Sequence, residues 1–227
     1  MAKDLTPKGS IIYKILILLL AAGLLFTILY PKNIWQKEED NTKACRKNME
    51  HILYAQLTYL TDNNAYEDTL AKVVDFIKSD STQARLRTFI TADSVLSFDI
   101  YEFFKTGKDS IAKTIVDSLL TFGRKYDIDT TAALVIDSLK TFPKYAQQID
   151  SIAFSVLNNL HLCPSTLKPY LVSVNNDSTI KKITIACPLD SLDAEAVKKD
   201  FKLYFLGGLK LKNHGSIDNG EKSWKKL

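Results

Sequence analysis

The sequence predicts an α+β chain: an N-terminal transmembrane helix continuing into an amphipathic helix, a helical middle region and a small C-terminal antiparallel β-sheet. Three observations predict it. Residues 11–30 form an apolar run whose one charge is Lys14. Apolar residues recur at helical spacing through 45–60 and again through 80–160, and two β-branched runs near 170–174 and 180–186 flank a polar turn sequence. The 227 residues are 46% hydrophobic and 25% charged, a globular balance that excludes disordered and fibrous classes. The 30 Lys and Arg against 26 Asp and Glu leave a net charge of +4, too small and too evenly spread to make nucleic acid a partner.

The apolar run decides the class. In a helix, 20 residues rise about 30 Å, the thickness of a bilayer hydrocarbon core. A cleaved signal peptide would end in small residues, whereas this run ends Thr27-Ile28-Leu29-Tyr30-Pro31-Lys32. The sequence therefore predicts a retained single-pass anchor over 11–30 in contact with membrane lipid, after a cytoplasmic tail, 1–10. Cations alone argue for the reverse orientation, since Lys32, Lys37, Lys43, Arg46 and Lys47 follow the span while Lys3, Lys8 and Lys14 precede or enter it. The short tail and the extracytoplasmic look of the C-terminal cysteines point to an N-in, C-out chain.

Past Pro31, expected to kink the helix by removing one backbone donor, the helical signal resumes. Cys45, Met49, Ile52, Leu53, Leu57 and Leu60 form one stripe, with Lys43, Lys47, Glu50 and Gln56 opposite. The helix is expected to run to about Leu60 and to stop at Thr61-Asp62-Asn63-Asn64, whose short side chains favour turns. Leu70, Val73, Val74 and Ile77 predict a short second helix over 69–78, so that 31–79 forms one amphipathic segment with its turn.

These residues carry a family resemblance. Lys8-Gly9 precedes the apolar run, Gly23 lies within it and Pro31 ends it. Type IV pilins and type II secretion pseudopilins are similar: a basic residue and glycine at a prepilin peptidase site, a mid-span glycine, a proline and then an amphipathic helix. The stretch from Ala55 to Leu70, with Asp62-Asn63-Asn64-Ala65-Tyr66, resembles the end of the pseudopilin helix. The resemblance covers about residues 8–78 and implies a pilin-like fold, a peptidase site at Gly9 and Ser10, a bacterial inner-membrane location and a periplasmic C-terminal domain. Two positions depart from it. Ser10 stands where an aromatic or Met begins the mature chain, and Lys14 where those families place a glutamate that pairs with a neighbouring subunit's amine.

In the segment 161–227, expected as a small β module, Cys163-Pro164, Cys187-Pro188 and His214-Gly215 punctuate two strand-like runs joined by Asn175-Asn176-Asp177-Ser178. Similar punctuation occurs in pseudopilin-like proteins on a small C-terminal sheet. Pairing the strands brings Cys163 and Cys187 within disulfide reach, and such a bond would stabilise the domain by roughly 3 kcal/mol in an oxidising compartment. Free buried thiols are the second reading. A metal site is the third, for which Cys163, Cys187 and His214 supply three ligands and no fourth; no metal is assigned. Cys45 is expected as a small core residue. The last stretch, from Phe201, reads as a strand, a Gly207-Gly208 bend and a second strand.

Residues 80–160 read as a helical insert of three or four helices, broken near Gly107, 123–129 and Pro143. They repeat a short word: Asp93 to Phe98, Asp117 to Phe122, Asp137 to Phe142, and a degenerate copy from Asp150. The word marks either a docking repeat or similar amphipathic helices converging on similar letters. No phosphate loop, nucleophile elbow, zincin or haem-attachment motif occurs, and His51, His161 and His214 stand apart from Cys and carboxylates in sequence. A non-enzymatic protein without cofactor or small-molecule substrate is expected. Two functions fit: a structural pseudopilin-like or minor-pilin-like subunit of a bacterial envelope assembly, packing laterally through its transmembrane helix, or a single-pass accessory protein tethering a helical partner-binding domain.

Overall fold

The computed structural model describes residues 10–126, 132–177 and 179–225. Helix α1, Ser10–Asn63, is followed by α2 Leu70–Lys78, α3 Ala84–Ala92, α4 Ser94–Thr106, α5 Ser110–Tyr126, α6 Ala132–Lys140 and α7 Pro143–Asn159. Strands β1 Leu171–Asn175 and β2 Lys182–Ala186 come next, then α8 Ser191–Lys199, a π-helical turn Phe201–Leu206, and β3 Ser216–Asp218 with β4 Glu221–Lys222. This is the α+β layout expected, with a long apolar N-terminal helix and a small C-terminal antiparallel sheet. By internal contacts the chain divides into two units, Met1–Thr42 with Leu189–Lys212, and Lys43–Pro188 with Asn213–Leu227. Residues 189–212 therefore interrupt the segment expected as one β module.

In the first unit, α1 is long and apolar enough to cross a membrane, and its residues 11–29 are all exposed. None of them is buried against the described residues, so an apolar solvent is what would stabilise them. The helix continues through Pro31, where the missing N–H leaves the Thr27 carbonyl without its helical donor. Gly9 lies outside the described residues, and Ser10 is the first residue of α1. Residues 201–206 do not extend as a strand. Asp200 caps them by accepting from the Lys202 and Leu203 backbone N–H groups, and Gly207 and Gly208 then let the chain lie close on α1. A Cβ at Gly207 would stand 2.5 Å from Ile34 Cδ1 and 2.6 Å from the Leu203 carbonyl oxygen, while Gly208, at φ +61°, faces the Trp35 ring.

In the second unit the rest of α1 is core. Cys45, Met49, Ile52 and Leu53 are buried as the stripe predicts, whereas Leu57 and Leu60 are only half-buried. The face expected in solvent is largely covered instead. Gln56 is fully buried, its amide donating to the Glu67 carbonyl at 2.6 Å and accepting from the Glu67 N–H at 3.1 Å. Glu50 pairs with Lys222 at 2.6 Å, and Lys47 pairs with Asp99. Asn64, at φ 51°, closes the helix with its N–H on the Leu60 carbonyl, where turn chemistry placed the stop.

Among the described residues the insert is five helices, with a core that includes Leu96, Ile100 and Phe104 of α4, Val135 and Leu139 of α6, and Ile149 and Leu157 of α7. It breaks at Gly107 and Pro143 as expected; residues 127–131, within the third expected break, lie outside the described residues. The repeated word does not repeat in structure. Asp93 sits just before α4 and caps it, whereas Asp117, Asp137 and Asp150 fall inside α5, α6 and α7. Convergent amphipathic helices account for that.

The sheet has the order β1-β2-β3-β4, antiparallel throughout, with Val174 opposite Ile183 and Ile185 opposite Ile217. Ile183, Ile185 and Ile217 fill its inner face. The hairpin falls where the two β-branched runs predicted it, although Ser178 of its turn lies outside the described residues. Asn176 in that turn accepts from the Tyr66 N–H and donates to the Tyr66 carbonyl, both at 2.9 Å, which anchors the hairpin to the loop after α1.

Asp93 ties the insert to α1. One carboxylate oxygen caps α4 through the Val95 and Leu96 N–H groups, and the other lies 2.5 Å from Nδ1 of His51, with both side chains buried. Asp93→Ala leaves His51 buried without its partner, and unfolding by urea in detergent should show a loss of about 3 kcal/mol or more. Asp93→Asn, which keeps the cap, should lose less.

Candidate functional site

Four side chains remote in sequence converge in the second unit. Cys45 comes from α1, Cys163 from the turn after α7, Cys187 from the residue after β2 and His214 from the turn before β3. Their sulfur and ring-nitrogen atoms all lie within 4.8 Å of one another, and the Cys163 and Cys45 sulfurs are 3.7 Å apart. Exposure is 0% at Cys45 and Cys163 and 2% at Cys187 and His214, so the cluster is dry.

Local backbone closure fixes each residue. The turn carrying Cys163 folds back so that its N–H donates to the Lys168 carbonyl at 2.9 Å and its carbonyl accepts from the Leu167 N–H at 2.8 Å, with Leu167 at φ 55°. The Cys187 N–H donates to the Gly215 carbonyl at 3.1 Å, and its carbonyl accepts from the Asn213 amide at 3.2 Å. Asn213 also accepts from the Gly215 N–H at 2.8 Å, an Asx turn that presents His214 between them. Gly215 is required, since at φ +113° a Cβ would meet the Ser223 hydroxyl at 2.5 Å and the Trp224 ring at 2.7 Å. Cys45 needs no loop because α1 holds it, and its carbonyl accepts from the Tyr170 hydroxyl at 3.4 Å.

The cluster sets its own electrostatics. Hydrogen bonds from Cys187 and Cys45, with a further one involving His214, hold the Cys163 thiol well below the ordinary thiol range despite burial. The same contacts to Cys163 and Cys187, with burial, push Cys45 up, and burial does the same to the Tyr170 phenol. Arg46 brings a fixed cation to the turn that carries His214. Its Nε donates to the His214 carbonyl at 2.9 Å, and its guanidinium lies 5.4 Å from the centre of the Trp224 ring.

One expectation is corrected: all three cysteines are free thiols, so no disulfide joins Cys163 to Cys187. Cys45 is the buried core residue expected, and it also lies against Cys163. The strand pairing does draw Cys187 inward, but it delivers both cysteines onto the Cys45 face of α1. The ligand count of three, which left no metal assigned, becomes four, and His214 is not isolated. Turn-borne Cys-Pro, Cys-Pro and His-Gly were the signals in the sequence; what they lacked was the fourth residue, 118 positions before Cys163. Gly9, Ser10 and Pro31 are no part of this cluster. His161 is half-buried beside the apolar residues Leu162 and Pro169. Three thiols and an imidazole in one dry pocket form a soft donor set, able to hold a cation or to lose two electrons as a disulfide.

Compared with protein-family models, curated proteins and solved structures, the chain matches none.

Arg46 bridges the turn that carries His214 and the C-terminal Trp224. Arg46→Ala should lower stability against urea by about 1 to 2 kcal/mol. Arg46→Lys should not restore it, because an ammonium lacks the planar face that stacks on the indole.

Proposed function

We propose that this protein is a membrane-anchored, non-enzymatic subunit of a bacterial envelope assembly, similar to pseudopilins and minor pilins. One observation carries the reading: a single helix is fully exposed and apolar over residues 11–29 and is the buried core of a domain from Cys45 onward. Such a helix gives its apolar end to lipid or to neighbouring helices and carries the folded domain on the same continuous backbone. Lateral packing of transmembrane helices needs small residues for close approach, and Ala21, Ala22 and Gly23 supply them, with open space around Gly23.

The segment folded on Ile34 and Trp35 supports the anchor. It lies beside the turn of α1 just past the apolar run, and it exposes Phe201 and Phe205, stacked with ring centres 5.0 Å apart, next to Lys198, Lys199 and Lys202. Exposed aromatics with lysines at the end of a span suit the headgroup region of a bilayer. On this reading the folded domain lies outside the cytoplasm.

A second reading keeps the anchor as a mere tether and gives partner binding to the insert. Phe98, Phe103 and Ile111 are each more than half exposed on α4 and α5, and they favour it.

Photo-crosslinking separates the two in intact cells. With a photoreactive amino acid at Leu18 or Leu25, the assembly reading predicts crosslinks to protein. The tether reading predicts lipid adducts there and protein crosslinks only from Phe98 or Phe103. Recovery of the protein in the supernatant of an alkaline wash would reject the anchor itself, and an inactive alkaline phosphatase fused after residue 227 would reverse the topology.

A further inference from the structure

We infer that Cys45, Cys163, Cys187 and His214 bind one Zn²⁺ in a closed tetrahedral site, a metal clamp that fastens the C-terminal sheet to helix α1. Four residues meet the number and kind of ligand a structural zinc site takes, three thiolates and one imidazole. The spacing fits. Zinc–sulfur bonds of about 2.3 Å in a tetrahedron place two sulfurs about 3.8 Å apart, and the Cys45 and Cys163 sulfurs are 3.7 Å apart. That separation is far beyond a disulfide bond, whose sulfurs sit about 2 Å apart.

Burial makes the site structural. All four groups are at most 2% exposed, so no ligand position is left open to water or substrate. Three thiolates and a neutral imidazole around a dication leave a net charge of −1. Arg46, next in sequence to Cys45 and bonded to the carbonyl of His214, supplies the opposite charge at the rim. The turns around the cluster support the ligands: main-chain hydrogen bonds close the Cys163 turn and join Cys187 to Gly215, and the Asn213 side chain closes the turn that carries His214. A pair of sulfurs alone would need neither His214 nor the Asx turn that carries it.

Binding requires three thiols to lose their protons as the metal enters, two positive charges exchanged for three protons with no redox step. A metal-bound thiolate is shielded from oxidation, which lets a reduced cluster persist in an oxidising compartment. The connectivity gives the clamp its consequence. Cys45 lies on the same helix as the apolar span, while Cys163, Cys187 and His214 bracket both ends of the hairpin and the entry to β3. The metal ties these four points with one ion where the sheet itself has only short strands.

The inference stands apart from the assembly reading, because its readout is metal content, whatever the protein crosslinks to. Full-length protein purified in mild detergent under reducing conditions should carry one zinc per chain by elemental analysis. Mercurial titration of three thiols should release it. Replacement by Co²⁺ should give the intense visible bands of a tetrahedral site with thiolate charge transfer. His214→Cys should retain one metal per chain with the cobalt bands shifted toward an all-sulfur site, which shows ligation without relying on a variant that fails to fold. Cys45→Ser should lower metal content at least tenfold. Wild-type protein that takes up neither zinc nor cobalt in reducing buffer, a native disulfide between any two of the cysteines, or a cobalt spectrum unchanged by His214→Cys would each overturn it.

Discussion

No residue of α1 over 44–60 is exposed, and the rest of the second unit follows from that constraint. A helix buried on most sides must satisfy every polar side chain it carries. Four of them reach other parts of the chain: Lys47 to Asp99 of α4, His51 to Asp93 at the start of α4, Glu50 to Lys222 of β4, and Gln56 to the backbone of Glu67. The insert and the sheet are thus held to the helix by specific pairs as well as by apolar packing. A buried polar group left unpaired costs about 1 to 3 kcal/mol, so these pairs also select one arrangement of the elements around α1. The Cys45 cluster is the same logic with a metal in place of a hydrogen bond.

The same helix meets the opposite constraint at its other end. Residues 11–29 are all exposed among the described residues, and burial begins past residues 31–42 of the same helix.

Much of this was legible because it rests on local patterning. The apolar run, the stripe from Cys45 to Leu53, the stop at Asn64 and the hairpin at 171–186 all depend on residues near one another in sequence. Long-range partners were not legible. Gln56 and Glu50 read as solvent-facing because their partners, Glu67 and Lys222, are invisible to helical periodicity. The metal cluster was half legible: Cys163, Cys187 and His214 each sit in recognisable turns, but Cys45 looked like any small core residue in a stripe. The stretch at 201–206 reads as a strand because it is rich in Phe, Leu and Tyr. The Asp200 cap and the close approach of Gly207 to Ile34 wind it into a π-helical turn instead. The recurring Asp-Ser word showed the converse error, since one pattern occupies a helix start once and helix interiors thereafter.

Helix α1 is the axis to which the sheet is clamped at Cys45. Amide hydrogen exchange on the full-length protein in detergent, with and without a zinc chelator, tests it most directly. Withdrawing the metal should speed exchange together in α1 around Cys45, in β2 and in β3, while the core of α4, α6 and α7 keeps its protection. Unchanged exchange in the sheet, or acceleration confined to the helical insert, would contradict the account.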